Sequence, residues 1–229
     1  MANKRNNPMV AARRGPSTAV ITGIVVVVLF AAAVGFGVYR SQQVASGPAA
    51  VPPNATAAGV PVGPASAKAT IDIYLDFQCP VCRDYEQQSG ATVEQMVAGG
   101  QAKVVYHPIA ILDRFSTTRY SSRASAASGC AAASGVFPQY LKLLYANQPS
   151  ENGAGLPAAQ LVSLGQQAGA TTSDFATCVT DTTYKGWTAG LTDQSSKAGV
   201  NGTPTVKVNG QVIGNTDAAL RQAVAAANA

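Results

Sequence analysis

A chain with a single histidine cannot build a histidine-rich metal centre, and His107 is the only one in 229 residues. Charge is scarce as well, at 12% of residues, and acids are missing altogether from the first forty positions. Those positions carry Lys4, Arg5, Arg13, Arg14 and Arg40. The 11 acids lie downstream and are matched there by the rest of the 16 basic residues, so the net charge of +5 belongs to one end of the chain. A nucleic-acid face needs positive charge clustered on a folded surface, and the neutral remainder excludes that class. Cysteine is also rare: there are four, at 79, 82, 130 and 178.

What the basic end does contain is a long uncharged run, "AVITGIVVVVLFAAAVGFGV" from Ala19 to Val38. As a helix it spans about 30 Å, the hydrocarbon thickness of a bilayer. Four cations precede it and one follows, so the positive-inside bias places the N-terminus in the cytoplasm and the remainder outside. The expected division is a cytoplasmic basic segment (1–18), a transmembrane anchor (19–39), a flexible Pro/Ala/Gly/Ser linker (40–59) and a folded domain (60–229). A cleaved signal peptide is the alternative; its apolar core is usually shorter, about 7–15 residues. Both alternatives export the domain to an oxidising compartment, where thiols tend to pair. Asn54-Ala-Thr within the linker matches a short glycosylation sequon.

The domain opens on "ATIDIYLDF", where Ile71, Ile73, Leu75 and Phe77 alternate with Asp72, Tyr74 and Asp76, the pattern of a strand. Asp76 then reads as a solvated acid at the strand end. Cys79-Pro80 follows, with proline suited to a first helical turn, and a helix runs to Gly99-Gly100 with room for a kink at Ser89-Gly90. "AKVVYHP" is a second strand, completing a β-α-β unit. His107, at its end, reads as a packed or surface residue. Four helical stretches, "TTRYSSRASAASGCAAA", "FPQYLKLLYANQ", "PAAQLVSLGQQAG" and "TYKGWTAGLTDQSSKAG", lie within about 115–198. Strands return in "PTVKVNGQVIG", joined by Asn209-Gly210, a type I′ hairpin signal. "TDAALRQAVAAA" closes the chain as a helix capped by Thr216 or Asp217.

Cys79 and Cys82 are two residues apart, in "DFQCPVCRDYE". A structural zinc site needs four ligands, and neither Cys130 nor Cys178 has a ligand neighbour, so no metal is expected. A plain Cys79–Cys82 staple would close too short a loop to stabilise much. A redox couple accounts for more. Cys79 falls where a strand gives way to a helix, and unpaired N–H groups and the helix dipole favour a thiolate there. Thiolate is the attacking species in disulfide exchange, and Cys82, one turn further in, is placed to resolve a mixed disulfide. Far downstream, "GVNGTPTVKVNG" sets Thr203-Pro204 immediately before a strand, a position open to proline.

"FQCPVC" (Phe77, Pro80 and Val81 around the two cysteines), the helical block and "GTPT" together resemble the DsbA-like thiol-disulfide oxidoreductases, in particular the membrane-anchored actinobacterial members. The resemblance covers about residues 60–229. It implies an α/β thioredoxin fold with an inserted helical domain, Cys79 as nucleophile, Cys82 as resolving thiol and Thr203-Pro204 as a cis-proline loop that pairs with an extended substrate. It further implies oxidation of reduced or unfolded exported proteins, and recharging by a membrane oxidase of DsbB or vitamin-K-epoxide-reductase type, with no cofactor of the protein's own. Two positions depart from the family pattern. Val81 stands where strongly oxidising members carry histidine, which predicts a less oxidising couple. Ile73 stands where thioredoxin relatives often bury an acid.

Export favours a structural disulfide between Cys130 and Cys178 over two buried free thiols. Small residues around Cys130 would let another helix approach. Three functions remain open: a disulfide donor at the cell membrane, a reductase or isomerase using the same couple, and a non-catalytic binding or sensor module. Sequence does not fix the direction of exchange, because potential depends on the relative stability of two redox states.

Overall fold

The computed structural model describes residues 49–229. The expected basic segment, the spanning helix and residues 40–48 of the linker lie outside the described residues. Among those described, no helix is long and apolar enough to cross a membrane.

In chain order the elements are β1 (Val60–Val62), β2 (Ala69–Leu75), α1 (Pro80–Ala98), β3 (Ala102–Pro108) and a 3-10 turn at Asp113–Phe115. There follow α2 (Tyr120–Ala133), α3 (Phe137–Ala146), α4 (Ala158–Gln167), α5 (Ser173–Thr180) and α6 (Lys185–Lys197). The chain closes with β4 (Thr205–Val208), β5 (Gln211–Ile213) and α7 (Asp217–Asn228). The sheet order is β1-β3-β2-β4-β5. β2 and β3 are parallel, as the β-α-β connection requires, and β4 lies antiparallel on the other side of β2.

β2 is thus the central strand, and its alternation decides how the layers form. Ala69, Ile71, Ile73 and Leu75 are buried on one face. The opposite face, read from sequence as polar, is covered too: Tyr74 and His107 stack at 4.1 Å and line a cavity with Leu191 and Ser195 of α6. His107 is buried, as a packed residue. Its Nε2 lies 2.9 Å from Asp72 Oδ1, and its Nδ1 bonds the carbonyl of Ala58. At the β4–β5 hairpin, Asn209 (φ 49°) and Gly210 (φ 80°) both take the left-handed backbone that a type I′ turn demands. Thr216 provides the cap of α7, its hydroxyl accepting from Ala219 N–H. α1 runs as one helix through Ser89 and Gly90.

Three features differ from the sequence reading. The segment from Ala49 to Gly59, expected as free linker, is part of the folded body. Asn54 Nδ2 donates to Ala132 O at 3.1 Å, and Trp187 Nε1 donates to Thr56 O at 2.8 Å. A Pro/Ala-rich composition identifies missing periodicity, but it does not reveal hydrogen bonds to distant groups. The Asn54 amide of the sequon is among the groups so engaged. β1 is also new: three residues pairing antiparallel with β3 are too few for an alternation signal. So is α5, eight residues rich in Ser and Thr, which have weak helix propensity.

The helical insertion is built around α2. Ala124, Ser125, Ala127, Ser128 and Gly129 are all buried, and a side chain at Gly129 would overlap Tyr184. α3, α5 and α6 pack around this small-residue helix. Cys130 of α2 and Cys178 of α5 form a disulfide across 48 residues of sequence. A loop of that length gives about 4 kcal/mol by chain entropy. Replacing both cysteines with alanine should therefore lower the urea unfolding free energy by about that amount. Amide exchange should accelerate first in α5, whose own propensity is weak.

Candidate active site

β2 ends at Leu75, and the turn Asp76-Phe77-Gln78 delivers the chain to α1. Cys79 N–H donates to Asp76 O at 3.0 Å, tightening that turn. Cys79 keeps an extended backbone as the residue preceding the helix, and Pro80 occupies the first helical position. Proline has no N–H to offer, so the first free donors of α1 are those of Val81 and Cys82. Both help to hold the Cys79 thiol below its ordinary range.

From the other side comes the loop between α6 and β4. Its Thr203-Pro204 peptide is cis, and the Thr203 carbonyl lies 3.3 Å from Cys79 Sγ. The structure therefore brings Cys79, Cys82, Thr203 and Pro204 together, with Phe77 buried beneath and Val81 56% exposed beside them. Cys130 and Cys178 lie away from this site, in the insertion.

The two thiols differ sharply. Cys79 is brought down from 9.0 to about 6, chiefly by the hydrogen bond from Cys82, with further help from the Thr203 side chain and the backbone N–H groups, against a cost of burial. Cys82 is pushed well above the ordinary thiol value, first by burial and then by the neighbouring Cys79. The surroundings favour charge on one sulfur and a proton on the other. That asymmetry suits a nucleophile and a resolving thiol.

Beneath the sulfurs the structure corrects the reading of Asp76. It is fully buried, not solvated. Its Oδ1 accepts from Gln78 N–H at 2.9 Å, and its Oδ2 accepts from Ile111 and Leu112 N–H at 2.9 and 3.0 Å. Burial raises its pKa to about 6 in spite of these donors. The alternation that assigned Asp76 to the solvent side stops with the strand at Leu75, and past that point the turn directs the carboxylate inward.

Sequence reading also passed over the supports of the turn. Gln148, just after α3, donates from Nε2 to Phe77 O at 3.0 Å and to Cys79 O at 2.9 Å. Tyr145 donates to Asp76 O at 3.3 Å and packs its ring against Phe77. No local motif signals such contacts, because the partners are about seventy residues apart. Above Cys79 a groove of about 450 Å³ opens between Ile111, Leu112 and Arg114 on one wall and Val200, Asn201 and Thr203 on the other.

A family model described as Thioredoxin matches residues 55–226. A disulfide bond oxidoreductase, DsbG, from Mycobacterium tuberculosis, solved in its reduced form, is 31% identical with a TM-score of 0.64, over 72% of this chain and 84% of that one. Oxidised DsbA from the same organism is also 31% identical, with a TM-score of 0.64, over 72% and 89% of the two chains. MdbA, a thiol-disulfide oxidoreductase of Corynebacterium diphtheriae, shares the fold at 20% identity, with a TM-score of 0.65 over 76% and 92%. The serine/threonine-protein kinase PknE of Mycobacterium tuberculosis is 35% identical over 119 residues, 49% of this chain. The match covers only 21% of that kinase. The chain belongs to the thioredoxin family, and within it to the DsbA-like protein thiol-disulfide oxidoreductases.

Proposed function

We propose that this oxidoreductase works as a disulfide donor to reduced exported proteins, outside the cytoplasm and tethered by its apolar segment 19–39. The observation that carries the direction of exchange is the contrast between Cys79 and Cys82. At pH 7 a thiol with a pKa near 6 is about 90% ionised. That ionisation stabilises the reduced pair by about 1.4 kcal/mol over one with an ordinary thiol, equivalent to about 30 mV toward a stronger oxidant. The gain grows as pH rises from 6 toward 9 and is lost as pH falls through 6, because the folded pKa is the depressed one. Export is supported by the uncharged run at 19–38 and the cations before it. The name of mycobacterial DsbG, a disulfide bond oxidoreductase, supports the reaction class.

In the reaction, a client thiolate attacks Cys79 Sγ of the Cys79–Cys82 disulfide. The S–S bond breaks, and Cys82 leaves with the electron pair and takes up a proton, which its burial favours. A second client thiolate then attacks the client sulfur of the mixed disulfide, and Cys79 departs as the thiolate that the α1 terminus stabilises. Two electrons pass from client to protein. A quinone-linked membrane oxidase of DsbB or vitamin-K-epoxide-reductase type would remove them. Asp76 is a positioning residue here: its carboxylate ties the active-site turn to the loop at 111–112. Val81 in place of histidine favours a second reading, isomerase or reductase, since it removes one stabilising contribution to the Cys79 thiolate.

Thiolate absorbance at 240 nm should rise with a midpoint near pH 6 in the reduced protein, while Cys82 stays protonated far into the alkaline range. A midpoint like that of free cysteine would remove the basis for the donor role. Oxidised protein should reactivate reduced, unfolded ribonuclease; Cys79→Ser should abolish this, and Cys82→Ser should accumulate mixed disulfide. Rescue of scrambled ribonuclease without oxidative activity would establish the isomerase instead. For Asp76 the folded state binds the proton more tightly than the unfolded state, so stability is lost as pH rises from about 4 to about 6. Relative to Asp76→Asn, the wild type should lose up to about 3 kcal/mol across that window, measured by denaturant melts at several pH values.

A further inference from the structure

The groove above Cys79 has one charged lining residue, Arg114. Its side chain is exposed and lies over the ring of Phe115, 4.7 Å from the centroid. Other charged residues on the segments that carry or adjoin the groove are matched. Asp113 faces Arg119 and the Ser122 hydroxyl, Lys197 pairs with Asp193 at 2.7 Å, and Arg83 pairs with Asp84 at 3.4 Å. Among the described residues, Arg114 makes no ion pair. A cation left unpaired at the edge of a site that receives other proteins biases which of them dock productively.

The remaining walls define where an occupant lies. Ile111, Leu112 and Val200 offer apolar contact, and Asn201 and Thr203 line the side that leads into β4. An extended segment lying in this groove with its cysteine over Cys79 has one flank beside the Ile111–Arg114 wall. Acid on that flank completes the charge balance, and a basic residue there leaves two like charges facing each other.

We propose that Arg114 sets client preference in this groove, selecting extended cysteine-bearing segments that carry an acidic residue beside the reactive cysteine. This rests on the disulfide-exchange reading of Cys79 and deepens it. The chemistry is the step already described: the client thiolate attacks Cys79, and Cys82 leaves. The choice is made before any bond changes. An exposed rim pair is worth up to about 1 kcal/mol, so the expected preference is about three- to fivefold in kcat/KM, and it is screened by salt.

The test uses the oxidised full-length chain and two dithiol peptides identical except for glutamate or lysine on both sides of the attacking cysteine. Each is oxidised under pseudo-first-order conditions at low and high ionic strength. The glutamate peptide should react about three- to fivefold faster at low salt, and the gap should close at high salt. Arg114→Glu should reverse the order of the two peptides, and Arg114→Gln should bring their rates together. Equal wild-type rates at low salt, or a preference that Arg114→Glu leaves in place, would overturn the inference while leaving disulfide exchange intact. Reaction with neither peptide would overturn the exchange reading itself, and this inference with it.

Discussion

The approach of two backbone segments to one sulfur is the constraint from which the rest of this structure follows. Cys79 stands between the free N–H groups opening α1 and the Thr203 carbonyl preceding β4. These segments are 124 positions apart in sequence, so the sheet must hold them in register. β2 supplies one and β4 the other, and their antiparallel pairing from Tyr74↔Thr205 to Ile71↔Val208 sets the spacing at the sulfur. The chemistry sits at the end of the central strands because that is where the two chain segments can meet.

Around that meeting point the fold separates charge from proton with little machinery. Among the described residues no histidine or lysine contributes to lowering the Cys79 pKa; a neighbouring thiol, the Thr203 side chain and backbone N–H groups suffice. Asp76, buried below, does not serve as a free carboxylate, since three backbone N–H groups occupy its oxygens. Such an arrangement is costly unless the donors are fixed, and they are fixed because they come from the turn and the loop that form the site.

Much of this was legible in the sequence. The alternation of Ile71, Ile73 and Leu75, the proline after Cys79 and the Asn209-Gly210 turn each act over a few residues, so each leaves a local signature. The fold family itself was placed by "FQCPVC", the helical block and "GTPT" in that order along the chain. Asp76 was misread because period-two alternation holds only while the strand lasts, and the strand ends one residue earlier. β1, α5 and the docking of 49–59 were not visible, since each owes its form to distant partners: β3, the bridge from Cys178 to Cys130, and the Ala132 carbonyl and Trp187 indole. Gln148 and Tyr145 belong to the same class.

The two bonds from Gln148 bear on how the molecule moves. One amide, two residues past the end of α3, grips the carbonyls of Phe77 and Cys79, so the insertion and the sheet domain share a latch at the active-site turn. Displacing α3 would release both carbonyls at once and loosen the scaffold that aims the α1 amides. Packing in the inserted helices therefore helps to fix the turn from which Cys79 is presented.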